Sequence, residues 1–325
     1  MAQQSSKNFA IPLAFVGLMF FTLGFALGIN SFLIPVLKES LNLSSGVAYM
    51  LLAATFIPFI LFGYPASRTI AVVGYKRTMA ISFVIFALAF VVFVQSAKNE
   101  SFIQFLAASF MSGTANAYLQ ASVNPYITIL GPINSAARRI SMMGICNKLA
   151  WPVAPLFFAA VVSDSNNVQI ADLYLPFYII IGVFVLLSII SLVAPLPEVK
   201  ATGEDKNSAD DCPYAASKTS IWQFPHLLLG VFALFVYVGV ETLALSTAID
   251  YATAVGLPSP DRYAWIPSIG MVVGYICGIV LIPKYLSQDG AMRICASLGV
   301  VGSLLVVLLP AQTSIWAIFL MALGC

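Results

Sequence analysis

The sequence predicts an all-α, polytopic membrane protein, and three observations carry that assignment. Hydrophobic residues fill 60% of the 325 positions and charged ones 9%, a balance that cannot be divided into the core and wetted surface of a soluble domain. Apolar runs of roughly 20 residues, the length that crosses a hydrocarbon core about 30 Å thick, recur along almost the whole chain. Between these runs the basic residues fall mostly on one side, as the short loops of a membrane protein arrange them.

The runs lie near 10–37, 47–67, 77–97, 101–124, 140–163, 173–195, 224–250, 263–283 and 291–310, which makes nine predicted spans. A tenth opens at about Ile315 and reaches Cys325, and eleven residues cover only about 16 Å, so the chain is expected to be truncated within it. The first run is too long for the hydrophobic region of a signal peptide and is expected to persist as a helix. Lys7, Arg68, Lys76, Arg77, Arg138, Arg139, Lys200, Lys206, Lys218, Lys284 and Arg293 share one side, against Lys38, Lys98 and Arg262 on the other, so the amino terminus is expected to be cytoplasmic. The net charge of +2 then records topology, and no nucleic-acid partner is implied.

Within the first run, "FALGINSFLIPVL" spaces Gly24 and Gly28 for close helix approach and sets Asn30 and Ser31 ahead of Pro35. A polar pair beside a proline serves structure as readily as function. After the second run, "SRTIAVVGYKR" carries Arg68, Gly74, Lys76 and Arg77, expected to form a gating loop on the cytoplasmic side and to contact anionic membrane lipid. "PKYLSQDGAMR" after the eighth run matches it at an offset of 216 residues, pairing Arg68 with Lys284, Gly74 with Gly290 and Arg77 with Arg293. One-sided charge bias explains the basic residues but not the glycines.

The fourth run carries "SGTANAYLQASVNPYITILGP", in which Asn116, Gln120 and Asn124 recur every four positions on a slowly drifting face. Amides both donate and accept, which suits a neutral polyhydroxylated ligand such as a sugar, although such a stripe also serves as glue between helices. Pro125 weakens the backbone ladder beside it. In the fifth run, "MMGICNKLAWPVAP" puts Lys148 nine residues beyond Arg139, about 14 Å into the membrane. An ionised lysine there costs roughly 2.5 to 3.5 kcal/mol and needs water or a partner. Asn147 and Trp151 add an amide and an aromatic platform.

The sixth run leads into "PEVKATGEDKNSADDCPYAASKTS", rich in charge and small residues, which predicts an amino-terminal six-helix bundle over 1–196, a cytoplasmic linker over 197–223 and a partial second bundle over 224–325. The seventh run, "YVGVETLALSTAIDY", holds Glu241 one turn beyond Tyr237. A carboxyl at that depth is suited to carrying a proton, joining a sodium site or pairing with Lys148. Asp250 is assigned to the outer mouth or interface, and His226, the single histidine, to an anchor at the cytoplasmic start of the same run. Cys146, Cys277, Cys295 and Cys325 sit in apolar runs and Cys212 in the linker, without metal or disulfide spacing. With no metal-ligand cluster and no nucleophile–base pair, neither an enzyme nor a cofactor is expected.

These stretches resemble the fucose:proton symporter family of the major facilitator superfamily, and within it the bacterial glucose/galactose transporters. The resemblance rests on "LQASVNPYITILGP", "AARRISMMGICNKLAWPVAP", "INSFLIPVLK" and "ALFVYVGVETLA", and extends over essentially the whole chain. It implies a major facilitator fold of twelve helices in two six-helix bundles, of which about nine and a half fall within this chain, and alternating access in a bacterial inner membrane. It further implies a hexose site lined by the first, fourth, fifth and seventh helices, with Asn30, Gln120, Asn124, Asn147, Lys148, Trp151 and Tyr237 as substrate-binding candidates. Fucose-type members carry an aspartate and a glutamate where this sequence has Ser31 and Gln120. That departure argues against fucose-type proton coupling and makes Glu241 the leading ion-coupling candidate, for a proton or for sodium. The expected function is hexose import; a carrier or exporter of another small solute, and a non-transporting sugar sensor or inactive fragment, remain as alternatives.

Overall fold

The computed structural model describes residues 10–130, 135–162, 168–194, 196, 218, 220–258, 263, 265–282 and 284–324. Lys7, Lys200, Lys206, Arg262, Cys212, Cys325, most of the expected linker and the side chain of Asp250 lie outside the described residues.

The described residues form ten α-helices: α1 Ala10–Ser40, α2 Ser45–Val73, α3 Tyr75–Lys98, α4 Phe102–Ile129, α5 Ala136–Val161, α6 Tyr174–Val193, α7 Pro225–Ala254, α8 Trp265–Leu281, α9 Gln288–Leu308 and α10 Ala311–Leu323. Each of the nine expected runs coincides with one helix, and the tenth begins four residues before Ile315, directly after Pro310, which stands at its N-cap. Seven of the ten (α1, α2, α3, α5, α6, α7 and α9) are long and apolar enough to cross a membrane, and α8 and α10 are shorter apolar helices. The exception is α4, which has the length, 28 residues, but carries Ser109, Ser112, Thr114, Asn116, Gln120, Ser122 and Asn124. The helix with the amide stripe is therefore the one least suited to lipid on all sides.

The chain divides into two compact units, Met1–Gly131 with Cys146–Val199, and Pro132–Ile145 with Lys200–Cys325. In the first, Phe83, Phe86, Phe90 and Phe93 recur every three or four residues and give α3 one aromatic edge, fully buried. Phe86 stacks on Phe184 of α6 with ring centroids 4.7 Å apart, and Phe93 meets Phe105 of α4 at 6.1 Å and Phe177 of α6 at 5.5 Å. Ser188 of α6 donates to the Ala80 carbonyl of α3 at 3.1 Å, so one of the few hydroxyls in α6 is spent on helix contact. This aromatic block fixes α4 along one side and leaves its amide face to the other elements.

A single residue joins α2 to α3. Gly74 adopts φ 85° and ψ 169°, a region open essentially to glycine alone, while its N–H still reaches the Ile70 carbonyl at 2.8 Å and its carbonyl accepts from the Thr78 hydroxyl at 2.8 Å. Gly74→Ala is expected to destabilise the protein by about 1–3 kcal/mol, read as a lower midpoint of thermal unfolding in detergent.

The second unit packs through small residues. A Cβ on Gly270 or Gly274 of α8 would meet the α10 backbone at Phe319 or Leu323, and one on Gly302 of α9 would meet Met321. Tyr251 at the end of α7 closes the cluster by donating to Ser314 at 2.7 Å. The first turns of α5 join this unit: the Tyr275 ring of α8 lies against Gly144, and Gly278 sits beside the Ser141 hydroxyl. Along Pro225–Gly239, by contrast, α7 is exposed throughout.

Candidate functional site

The four-residue spacing on α4 advances each amide by about 40° around the helix, since four residues turn through about 400°. The structure shows the consequence: Asn116 is fully buried, Gln120 half-buried and Asn124 exposed. The stripe winds out of the packed interior, and its open part is Gln120 and Asn124. Continued one step back it reaches Ser112, also fully buried, a member that the four-residue spacing held in plain sight but that the reading of the amides alone passed over.

The buried end of the stripe is unsatisfied. Among the described residues, neither the Ser112 hydroxyl nor either polar atom of the Asn116 amide has a hydrogen-bond partner. An unpaired buried amide costs roughly 1–3 kcal/mol, whereas an apolar side chain of similar shape in its place is close to neutral or stabilising. Asn116→Leu is therefore predicted to raise the thermal unfolding midpoint, against the usual sense of a core substitution.

Asn30 takes a different place from Gln120. It is 1% exposed, its amide nitrogen donates to the Ala26 carbonyl at 3.3 Å, and its oxygen accepts from Ser109 of α4 at 3.1 Å. Its hydrogen bonds join α1 to α4, and Ser31 beside it donates to Leu27 within its own helix at 3.3 Å.

The α5 group is held from behind. Gly24 and Gly28 of α1 let the α5 backbone come so close that a Cβ on the first would run into the Asn147 carbonyl and one on the second into the Trp151 carbonyl. The Asn147 amide then crosses the same contact to donate to the Phe20 carbonyl at 3.1 Å. One face of α5 is thereby locked to α1 at the turn that carries Asn147, Lys148 and Trp151, all half-buried. Lys148 stands at the middle of this 26-residue helix, as its spacing from Arg139 required. The arrangement offers amide donors and acceptors, an indole ring and one cation on a rigid backbone, a chemistry suited to orienting a neutral hydroxylated ligand.

Tyr237 and Glu241 belong to the second unit, one turn apart near the middle of α7, with Tyr237 37% exposed and Glu241 half-buried. In the loop motif, Arg68 donates through Nε to the Tyr64 hydroxyl at 2.8 Å and lies 5.4 Å from the centre of that ring, and Lys284 lies over Tyr285 at 5.1 Å. The matched basic residues thus both rest on tyrosines. The matched glycines differ: Gly290 sits in the first turn of α9, its N–H taken by Ser287 at 3.1 Å, without the positive φ of Gly74. Among the described residues, no group of three or more His, Cys, Asp or Glu side chains could hold a metal ion.

Set against known proteins, residues 16–325 match the model of the Major Facilitator Superfamily. The chain is 27% identical to the glucose/galactose transporter of Brucella abortus (strain 9-941) over 332 residues, covering 98% of this chain and 78% of that protein. It is 22% identical to the L-fucose-proton symporter of Escherichia coli K12 over 267 residues, covering 76% and 60% respectively. Its fold is similar to the crystal structure of the transporter FucP in an outward conformation, with a TM-score of 0.76 at 18% identity over 98% of this chain and 82% of that one.

Proposed function

The chain belongs to the Major Facilitator Superfamily as a multi-pass membrane transporter, and from that premise we propose that it imports a neutral hexose of the glucose or galactose kind by alternating access, coupled to a cation. The observation that carries this reading is the α5 turn of Asn147, Lys148 and Trp151, clamped to α1 by Gly24 and Gly28. Gln120 and Asn124 of α4 extend the same chemistry, and Tyr237 adds a second ring. Lys148 orients the sugar. Asn30 acts through its bond to Ser109, as a support for α4. The amino terminus faces the cytoplasm of a bacterial cell, on the inner membrane, and the turn of Arg68, Gly74, Lys76 and Arg77 belongs to the cytoplasmic gate.

Glu241 carries the coupling. One monovalent cation entering down a potential of 100 mV supplies about 2.3 kcal/mol, roughly a fiftyfold accumulation of a neutral sugar, so a single carboxyl suffices. The test is uptake of labelled glucose and galactose into proteoliposomes under a proton gradient and, separately, a sodium gradient. One gradient is expected to drive accumulation, and Glu241→Gln to remove that accumulation while sugar still equilibrates. Accumulation that survives Glu241→Gln would assign the coupling elsewhere.

A further inference from the structure

We propose that the groove between α3 and α6 is a binding site for an anionic phospholipid, with the headgroup phosphate on Arg77 and an acyl chain along the helices. Val73, Arg77, Ala80, Ile81 and Val84 of the α2–α3 segment face Leu192 of α6 across a groove of about 380 Å³. Its walls are almost wholly apolar, and Ser188, which also lines it, spends its hydroxyl on the Ala80 carbonyl at 3.1 Å. Ile81 and Val84 are 37% and 47% exposed, a surface that hydrocarbon covers in a membrane. From Arg77 to Ile85, the last α3 residue on the groove, α3 rises about 12 Å, so the groove runs inward from the membrane boundary along an acyl chain's path.

Hydrocarbon alone makes no choice among lipids, because acyl chains are as apolar as the groove. The choice comes from charge. Arg77 sits at the mouth in the first turn of α3, beside Lys76, and that turn holds no acidic residue. Among the described residues no carboxylate pairs with Arg77, and its guanidinium has the planar fork that takes two phosphate oxygens at once. The complement is a phosphate whose headgroup brings no compensating positive charge.

The site is independent of which solute the protein carries. Native mass spectrometry of the purified protein, titrated with phosphatidylglycerol and with phosphatidylcholine of the same chains, measures the preference directly. The wild type is expected to prefer phosphatidylglycerol about fivefold, the contribution of one basic residue at a membrane surface. Arg77→Gln is expected to erase that preference, and Val84→Trp, which fills the groove and keeps the charge, to weaken the binding of both lipids. Lys284→Gln, in the other compact unit and not among the residues lining the groove, leaves the preference intact. Equal affinities for the two lipids in the wild type, or a preference that persists in Arg77→Gln, would overturn the proposal.

Discussion

Leucine in place of Gly24 or Gly28 is expected to cut sugar uptake on the order of ten- to a hundredfold while the chain still inserts in the membrane. Both glycines lie against α5 carbonyls, of Asn147 and of Trp151, so even one added carbon has nowhere to go, and backbone atoms cannot swing aside as a side chain can. The helices must separate by an ångström or more. The Asn147 bond to Phe20, now 3.1 Å, would pass beyond hydrogen-bond range, and the turn carrying Asn147, Lys148 and Trp151 would lose the face that sets its rotation. The control is Gly182→Leu on α6, where nothing beyond the helix's own backbone stands within 4 Å of an added Cβ and little change is expected. Uptake by the Gly24 and Gly28 variants equal to that of the Gly182 variant, at matched expression, would remove the clamp from the mechanism.

The second large effect is expected at the amides. Gln120→Ala and Asn147→Ala are each predicted to weaken hexose affinity by roughly five- to tenfold, the worth of one to two hydrogen bonds to a neutral ligand, when sugar binding is measured by isothermal titration. Trp151→Phe should retain most of the affinity and Trp151→Ala lose it, because a ring face is what the sugar stacks on. The exposed Asn124 is expected to matter less than half-buried Gln120, since an exposed amide keeps its water whether or not a ligand is present. Full uptake in both the Gln120 and the Asn147 variant would place the sugar elsewhere.

The helices were legible because length and hydropathy determine them nearly alone: a bilayer leaves a chain of this composition few ways to satisfy its backbone. Their ends were less so. α2 runs on from 67 to Val73 and α5 starts at Ala136 instead of 140, because helices continue past their apolar stretch into the interface until a turn such as Gly74 stops them. Gly24 and Gly28 were legible as a packing pair, since small residues four apart have one common use in helices. The rotation of each helix was not. Asn116, Gln120 and Asn124 look equivalent in a sequence, yet a drift of about 40° per step separates a buried amide from an exposed one. Asn30 and Asn147 look alike too, and only the neighbouring helix decides that the first spends its oxygen on Ser109 while the second donates to a backbone carbonyl. The paired glycines of the two loop motifs failed for a related reason: one-letter identity at a fixed offset carries no φ, and Gly290 opens a helix where Gly74 joins two.

The most direct test of hexose carriage is counterflow, which asks for transport without asking what drives it. Proteoliposomes loaded with unlabelled galactose are diluted into a trace of labelled glucose with no ion gradient. A transient accumulation of label inside, reduced in the Asn147→Ala variant, is the predicted result. Label that never exceeds the level of protein-free vesicles, for glucose and galactose alike and with the protein folded, would contradict hexose transport by this chain.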